Sequence, residues 1–186
     1  MKKLILPFLV VMTFSGAVAA KEWQVDPTVS KLTFVGDQSG ERFAGGFKQF
    51  TAKIDLDPAH PETGKIDVTV NTATAYAGSG DRDAMLPQSD WFNIAKFPQA
   101  QFTSTSIRKT GANAYEADAT VTIKGITQKV TLPFTLVPEG DHWRAQGHVM
   151  LKRSDYGLGM DSFGNENYVK FPVDVAVDIV AKPPVP

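Results

Sequence analysis

The chain has 186 residues, of which 42% are hydrophobic, 19 are basic and 20 are acidic, and it contains no cysteine. The lack of cysteine excludes disulfides, metal–thiolate sites and cysteine nucleophiles. Because basic and acidic residues nearly balance, the chain has no net positive charge that would attract a phosphate backbone. We therefore do not expect nucleic acid as a partner.

The amino end has the pattern of a secretory signal. Two lysines precede an apolar run of about ten residues, and Ala17–Ala19 has the small–x–small form of a cleavage site. We therefore expect residues 1–20 to be removed on export to the periplasm. The apolar run is too short to cross a bilayer, so no membrane span is expected. Residues 21–182 are expected to form a single domain with one core.

Most of the remaining chain alternates apolar and polar residues, which is the pattern of half-buried β-strands. One of the strands, over residues 43–56, changes phase, and we expect Gly45-Gly46 to supply a bulge there. The predicted strands are 23–25, 30–35, 43–56, 65–71, 99–107, 118–124, 130–136, 143–151 and 173–179. Roughly eight strands joined by short polar turns are typical of an antiparallel barrel or sandwich.

Two stretches interrupt the alternation. A short helical insert is expected around residues 79–93, with a helix that Ser79 caps and Pro87 ends, and a second helical turn that Ser89 caps. The other stretch is residues 153–170. Both are long for hairpin connections, and such connections in compact domains are usually functional or mobile.

The charges on the strands indicate which side faces water. One face carries the charged residues Lys65, Asp67, Lys129, Asp174 and Asp178. A lysine turned toward lipid at the bilayer midplane would cost roughly 2–4 kcal/mol, so the charged face is expected in water. The apolar face then lies inside, where a barrel of this size holds either a solid core or an apolar pocket.

The chain resembles the YceI family in six segments that follow the family's order along nearly the whole mature chain. They are Asp26-Pro27-x-x-Ser30-x-Leu-x-Phe34, Gly46-Phe47-x-x-Phe50, Arg82-Asp83-x-x-Leu86 with Asp90-Trp91-Phe92-Asn93, Phe97-Pro98-x-Ala-x-Phe102, Thr122-Ile-Lys-Gly125-Ile-Thr127 and Arg153-x-Asp155-Tyr-Gly157. A small departure is Asn93, where the family more often has Asp. The resemblance implies an all-β fold, an extended lipocalin-like eight-stranded antiparallel β-barrel in the periplasm that holds a polyisoprenoid or another long-chain amphiphile.

Twelve residues are candidates for binding such a ligand. Arg82 is suited to bidentate contact with a diphosphate, although with Asp81 and Asp83 it could instead form a salt-bridged helix start. Arg153 and Asp155 allow the same two interpretations. The aromatic candidates could equally pack a solid core. The twelve are Phe34, Phe47, Phe50, Arg82, Met85, Leu86, Trp91, Phe92, Phe102, Phe134, Trp143 and Tyr156.

Three functions remain open at this point. The first is a periplasmic carrier that sequesters a long-chain isoprenoid lipid or quinone, in which hydroxyls of residues 103–106 could contact a polar head. The second is a small secreted hydrolase acting on a lipid or peptide, with Asp83 and Ser104 as residues to test. The third is a ligand-free stress or interaction module. The sequence leaves both a monomer and a homodimer open.

Catalytic and metal-binding residues are not expected. His142 and His148 lie on the polar face of one predicted strand, too far apart to share a metal, and His60 lies in a turn. The motifs G-x-S-x-G and H-E-x-x-H do not occur, nor does a phosphate-binding glycine loop. We therefore favour the carrier, with no cofactor and no chemistry on its ligand.

Overall fold

The structure is a computed structural model that describes residues 22–184. The predicted signal peptide lies outside the described residues and stays a prediction. No helix in the described part of the chain is long and apolar enough to cross a membrane.

Eleven β-strands in residues 22–184 form a single antiparallel sheet. The strands are β1 (Gln24–Val25), β2 (Lys31–Gln38), β3 (Glu41–Phe47), β4 (Phe50–Asp55), β5 (Lys65–Asn71), β6 (Ala75–Tyr76), β7 (Gln99–Lys109), β8 (Ala114–Ile123), β9 (Ile126–Glu139), β10 (His142–Lys152) and β11 (Pro172–Lys182). The helix α1 is Gly80–Met85, and short 3-10 turns lie at Pro61–Thr63, Thr72–Thr74 and Arg153–Tyr156. The predicted all-β antiparallel fold is confirmed.

The sheet is strongly curled. Its strand order is β4-β5-β7-β8-β9-β10-β11-β2-β3-β6, so β3 and β4 lie near opposite ends of that order. In the chain, however, only Lys48 and Gln49 separate these two strands. A second connection lies at β1 and joins β4 to β11. The Trp23 amide donates to the Ile54 carbonyl of β4 (2.8 Å), while Gln24 pairs with β11. The two ends of the sheet are thus held together around an interior.

The prediction of one strand over residues 43–56 with a glycine bulge is wrong. β3 pairs with β2 in unbroken register, and the chain then leaves that pairing at Lys48 and Gln49 to begin β4. Gly45 is needed for close packing, because a Cβ there would lie 2.5 Å from the ring of Phe34. The register shift that the sheet does contain lies on β7, between Ser104 and Ser106.

The helical insert is partly as predicted. The Ser79 side chain accepts a hydrogen bond from the Arg82 amide, so the predicted cap of α1 is confirmed. The predicted second helical turn is wrong, since the chain beyond Pro87 folds as successive turns. There the Phe92 amide donates to the Leu86 carbonyl (3.0 Å), and Asn93 has a φ of 49°. Asparagine is among the few residues that adopt this left-handed conformation readily.

The two faces of the sheet have the predicted polarity. On β11 the alternate residues Val175 and Val177 line the interior cavity described below. Asp178, which follows Val177 on the same strand, lies on the other face of the sheet. There it forms a two-pronged ion pair with Arg144 of β10. The apolar faces of the strands therefore point inward.

Candidate functional site

An apolar cavity of about 290 Å³ lies inside the curled sheet. Its walls come from the inward faces of the strands, from the insert that contains α1, and from the connection between β10 and β11. Charged and amide side chains are few among the residues that line it: Gln38, Arg82, Gln101, Arg153 and Lys170. Such a lining suits a long apolar chain, because each methylene group that it buries contributes about 0.8 kcal/mol to the free energy of binding.

All twelve candidate residues line this one cavity. Their contact with a ligand stays a prediction. The lining also includes many aliphatic residues that we did not single out, although the same alternation marks them: Ile54, Ile66, Val68, Val70, Val173, Val175, Val177 and Ile179. The aliphatic contribution was missed because we weighted aromatic residues, whereas period-2 alternation identifies every inward position.

Two buried clusters lie along the cavity. In the first, Tyr115 stacks on Phe134 with ring centroids 5.5 Å apart, and Trp143 packs against this cluster. The second includes the insert residue Phe92, which meets Phe47 edge to face at 5.7 Å. Phe102 packs against both clusters. The apolar surface is therefore continuous from the first cluster to the insert.

The insert is tied to the connection between β10 and β11 by Asp90. Its carboxylate accepts hydrogen bonds from the backbone amides of Asp161 (2.9 Å) and Ser162 (3.0 Å). The Lys124 Nζ joins the same two segments, donating to the carbonyls of Asp90 (2.9 Å) and Gly157 (2.8 Å). Burial raises the pKa of the Asp90 carboxyl, but these hydrogen bonds outweigh that effect and hold the pKa below its usual value.

Arg153 is buried, with 3% of its surface exposed, and it organises the connection that follows it. Its guanidinium has no carboxylate within ion-pair distance in the described residues and instead donates to six backbone carbonyls. They belong to Leu158, Gly159, Phe163, Asn165, Val169 and Lys170. Burial lowers the pKa of this guanidinium. Of the two interpretations of Arg153, the structural one is favoured, and no local sequence pattern indicates so many carbonyl partners.

Arg82 differs from Arg153 because part of its guanidinium remains available. Its Nε donates to the Ala77 carbonyl (2.7 Å), and its Nη1 donates to the Gln38 Oε1 (3.3 Å). The guanidinium also lies 4.6 Å from the centre of the Phe43 ring. Asp83 accepts from the Ala77 amide rather than pairing with Arg82. The salt-bridged helix start is therefore not observed.

The residues that a hydrolase would use are engaged elsewhere. The Ser104 Oγ accepts a hydrogen bond from the Ile66 amide (2.8 Å), and Ser106 and Thr105 donate to Asp118. Asp83 holds the Ala77 amide, as above. Among the described residues, no group of three or more His, Asp or Glu side chains is arranged to hold a metal ion. Ser104 and Asp83, the two residues named for a hydrolase, are thus both engaged in hydrogen bonds with backbone amides.

Near the insert, two buried donors have no hydrogen-bond partner within residues 22–184, the Trp91 Nε1 and the Tyr156 hydroxyl. Burial raises the pKa of Tyr156 to about 12, so the hydroxyl stays neutral at physiological pH. A buried polar group without a partner costs on the order of 1–3 kcal/mol.

Comparison with known proteins identifies the family. The family described as "YceI-like domain" matches residues 23–181 of the chain. The chain belongs to the YceI family. It is 31% identical over 175 residues to Protein YceI of Salmonella newport, covering 87% of this chain and 90% of the relative. The Salmonella arizonae protein of the same name is 31% identical over 174 residues, with the same two shares covered.

Solved structures share the YceI fold. BcnA of Burkholderia cenocepacia superposes with a TM-score of 0.82 at 30% identity, covering 86% of this chain and all of BcnA (100%). A polyisoprenoid binding domain from Saccharophagus degradans superposes with a TM-score of 0.69 at 14% identity, covering 88% of this chain and 99% of that domain. At that identity the second likeness shows the fold alone. The curled antiparallel sheet of this YceI-family chain is therefore a fold that these solved structures share.

Proposed function

We propose that the protein is a periplasmic carrier that sequesters a long-chain isoprenoid lipid or quinone in its apolar cavity and performs no chemistry on it. The observation that carries this proposal is the continuous apolar lining that runs between the two buried clusters. Every long strand contributes the residues of its inward face to this lining. Membership of the YceI family and the shared fold with a polyisoprenoid binding domain support the class of ligand.

The energetics favour a long tail over a short one. Burial of each isoprene unit contributes about 3 kcal/mol before the cost of ordering the chain, which removes much of the total. Affinity should therefore rise with the number of isoprene units until the cavity is filled. A carrier also needs a way into the interior, and the insert and the β10–β11 connection are the long non-strand segments that line the cavity.

A binding assay with prenols of increasing length tests the proposal. Phe102→Asp places a charge in the cavity and should abolish binding, whereas Thr51→Asp places the same charge on the exposed face of β4 and should leave binding unchanged. Since Phe102→Asp could destabilise the fold, Ala52→Phe is a second variant that fills the interior without a charge. Unchanged prenol binding by a folded Ala52→Phe and a folded Phe102→Asp would contradict binding in this cavity.

Export is tested separately. The proposal expects the full chain to be processed near Ala19 and recovered in the periplasmic fraction. Retention of an unprocessed chain in the cytoplasm would contradict the periplasmic part of the proposal and leave the ligand-binding part standing.

A further inference from the structure

The apolar cavity is elongated, and its two ends differ. β10 runs along it, since both Trp143 and Leu151 of that strand line the cavity. Eight residues of rise separate the two, which corresponds to roughly 26 Å at about 3.3 Å per residue. Leu151 packs against the buried cluster that includes the insert residue Phe92, whereas Trp143 packs against the other cluster. Trp143 therefore lies at the end of the cavity opposite the insert, which we call the tryptophan end.

Trp23 closes the tryptophan end. It is buried, with 6% of its surface exposed, and its ring meets that of Trp143 edge to face with centroids 5.7 Å apart. Its indole Nε1 donates to the Leu56 carbonyl (2.8 Å), and its amide donates to the Ile54 carbonyl of β4. The strand that follows it, β1, pairs with the end of β11. Trp23 therefore bridges β4 and β11 across this end of the cavity, and a hydrogen bond fixes its ring.

The surface that the tryptophan end presents to the cavity is apolar. The residues that line it are Trp23, Ile54, Leu56, Leu136, Trp143, Ala145, Ile179 and Ala181. Behind this lining, Tyr115 stacks on Phe134 and donates its hydroxyl to the Pro58 carbonyl (3.2 Å). A polar head placed at this end would lose its hydrogen bonds to water, whereas the apolar end of a tail has none to lose. The tryptophan end therefore fits the last unit of an isoprenoid tail.

Side-chain size changes sharply at this end. Trp143 and Ala145 are successive inward residues of β10, so one of the largest side chains lies next to one of the smallest on the same face. Trp23 adds a second indole ring at the level of Trp143. The cavity therefore narrows from the level of Ala145 to that of the two indoles, and a tail that runs along β10 meets them at its end.

We propose that the Trp23–Trp143 pair is a stop that sets the length of the longest isoprenoid tail the cavity holds. The inference rests on the proposed function, because it concerns the tail of the same ligand, and it assigns the residues that determine specificity for tail length. Each isoprene unit up to the stop leaves water on binding and adds to the affinity, whereas units beyond that length stay in water and add nothing. Affinity should therefore rise with tail length and become constant at a limiting length.

The experiment measures the dissociation constants of a series of prenols, one isoprene unit apart, by competition with a fluorescent prenol. We expect the unmodified protein to bind each longer prenol about fivefold or more tightly up to the limiting length, and equally tightly beyond it. Trp143→Ala should move the limit to longer prenols by about one isoprene unit or more, because an indole ring is larger than an isoprene unit and the space it leaves collapses only in part. Prenols well below the limit should bind with little change.

A second variant tests the stop in the opposite direction. Ala145→Leu places a larger side chain directly before the two indoles and should move the limit to shorter prenols. Because this variant retains both indoles, it tests the stop even if Trp143→Ala unfolds. Val149→Ala is the matched control, since it removes atoms from the same inward face of β10 away from the pair. It should weaken the binding of all prenols without moving the limit.

Photo-crosslinking locates the end of the tail directly. The probe is a prenol of the limiting length that carries a diazirine on the isoprene unit farthest from its hydroxyl. After irradiation of the complex and digestion, we expect mass spectrometry to find adducts on Trp23, Leu136 and Trp143. Adducts on the insert, at Trp91 or Phe92, would show that the tail ends at the opposite side of the cavity and would overturn the stop.

Each outcome of the prenol series has a distinct meaning. Movement of the limit in the expected direction in either Trp143→Ala or Ala145→Leu, with no movement in Val149→Ala, supports the stop. A limit that stays the same in both variants, folded, would overturn the stop and leave the carrier function intact. A limit that Val149→Ala moves as far as Trp143→Ala does would also overturn it, because total volume would then set the limit. Affinity that rises with every added unit would show that this end is open and overturn the stop. Failure of every prenol to bind would overturn the carrier function itself.

Discussion

Single side chains in this protein have effects on stability that their residue types do not reveal. Arg153 and Tyr156 lie in the same 3-10 turn and are both buried. In the part of the chain that the structure describes, Arg153 has six carbonyl partners, whereas the Tyr156 hydroxyl has none. The sequence shows only that an arginine and a tyrosine follow a strand. Their partners come from residues 158–170, whose path depends on the whole fold, so local patterns could not predict which polar group is satisfied.

Replacement of Arg153 by methionine should strongly destabilise the protein. The variant would leave several buried carbonyls without donors, and we expect the free energy of unfolding to fall by about 3 kcal/mol or more. Urea denaturation followed by tryptophan fluorescence measures the change. Arg144→Met on the outer face is the control, with a much smaller expected loss because its ion pair with Asp178 is screened by solvent. Equal losses in the two variants would contradict the anchoring role of Arg153.

Replacement of Tyr156 by phenylalanine should change the free energy of unfolding in the opposite direction. The ring is retained while the unpartnered hydroxyl is removed, so we expect the free energy of unfolding to stay the same or rise by about 1 kcal/mol. Thermal and urea denaturation both report it. A loss of more than about 1 kcal/mol would show that the hydroxyl has a partner in solution.

At the scale of elements, the strands and the cap of α1 could be predicted, while the break between β3 and β4 and the turns beyond Pro87 could not. Alternation and a capping serine are local signals that a few residues carry. The break at Lys48 and Gln49 exists because β3 and β4 pair with strands from different parts of the chain. The turns around Trp91 are fixed by contacts that Asp90 makes with residues 161–162, far along the sequence.

The contact between the insert and the β10–β11 connection should depend on pH through Asp90. The pKa of this carboxyl in the folded protein lies below its unfolded value of about 3.9. The contribution of ionised Asp90 to the free energy of unfolding is therefore fully present above the unfolded pKa, and it is lost as the pH falls through the folded pKa. We expect Asp90→Asn to lower the free energy of unfolding by about 1 kcal/mol at neutral pH. The difference between the two proteins should shrink below pH of about 4.

Denaturation of both proteins across the pH range checks this prediction. Asp161→Asn is a suitable control, since the Asp161 backbone amide, rather than its carboxylate, makes the contact with Asp90. A difference between Asp90→Asn and the unmodified protein that stays constant from neutral to acidic pH would contradict an ionised Asp90 as the link.

At the scale of the whole molecule, the polarity of the strand faces predicted which side of each strand lies inside. It did not predict whether that inside is a solid core or a cavity. The alternation placed the apolar residues inside and the resemblance to the YceI family implied a ligand, yet a solid core remained open as long as only the sequence was considered. The curled sheet leaves a cavity of about 290 Å³ that all twelve candidate residues line. How much space remains between facing strands depends on the curvature of the sheet and on side-chain packing across it, which no local pattern encodes.

The central claim is that this cavity holds a long isoprenoid chain. Native mass spectrometry of the full chain, purified gently from the periplasmic fraction, followed by solvent extraction and identification of the lipid, tests it most directly. We predict an adduct on the folded protein that extraction releases as a single class of long-chain isoprenoid, and uptake of that lipid by the stripped protein. A protein that carries no adduct and takes up no long-chain isoprenoid would contradict the claim.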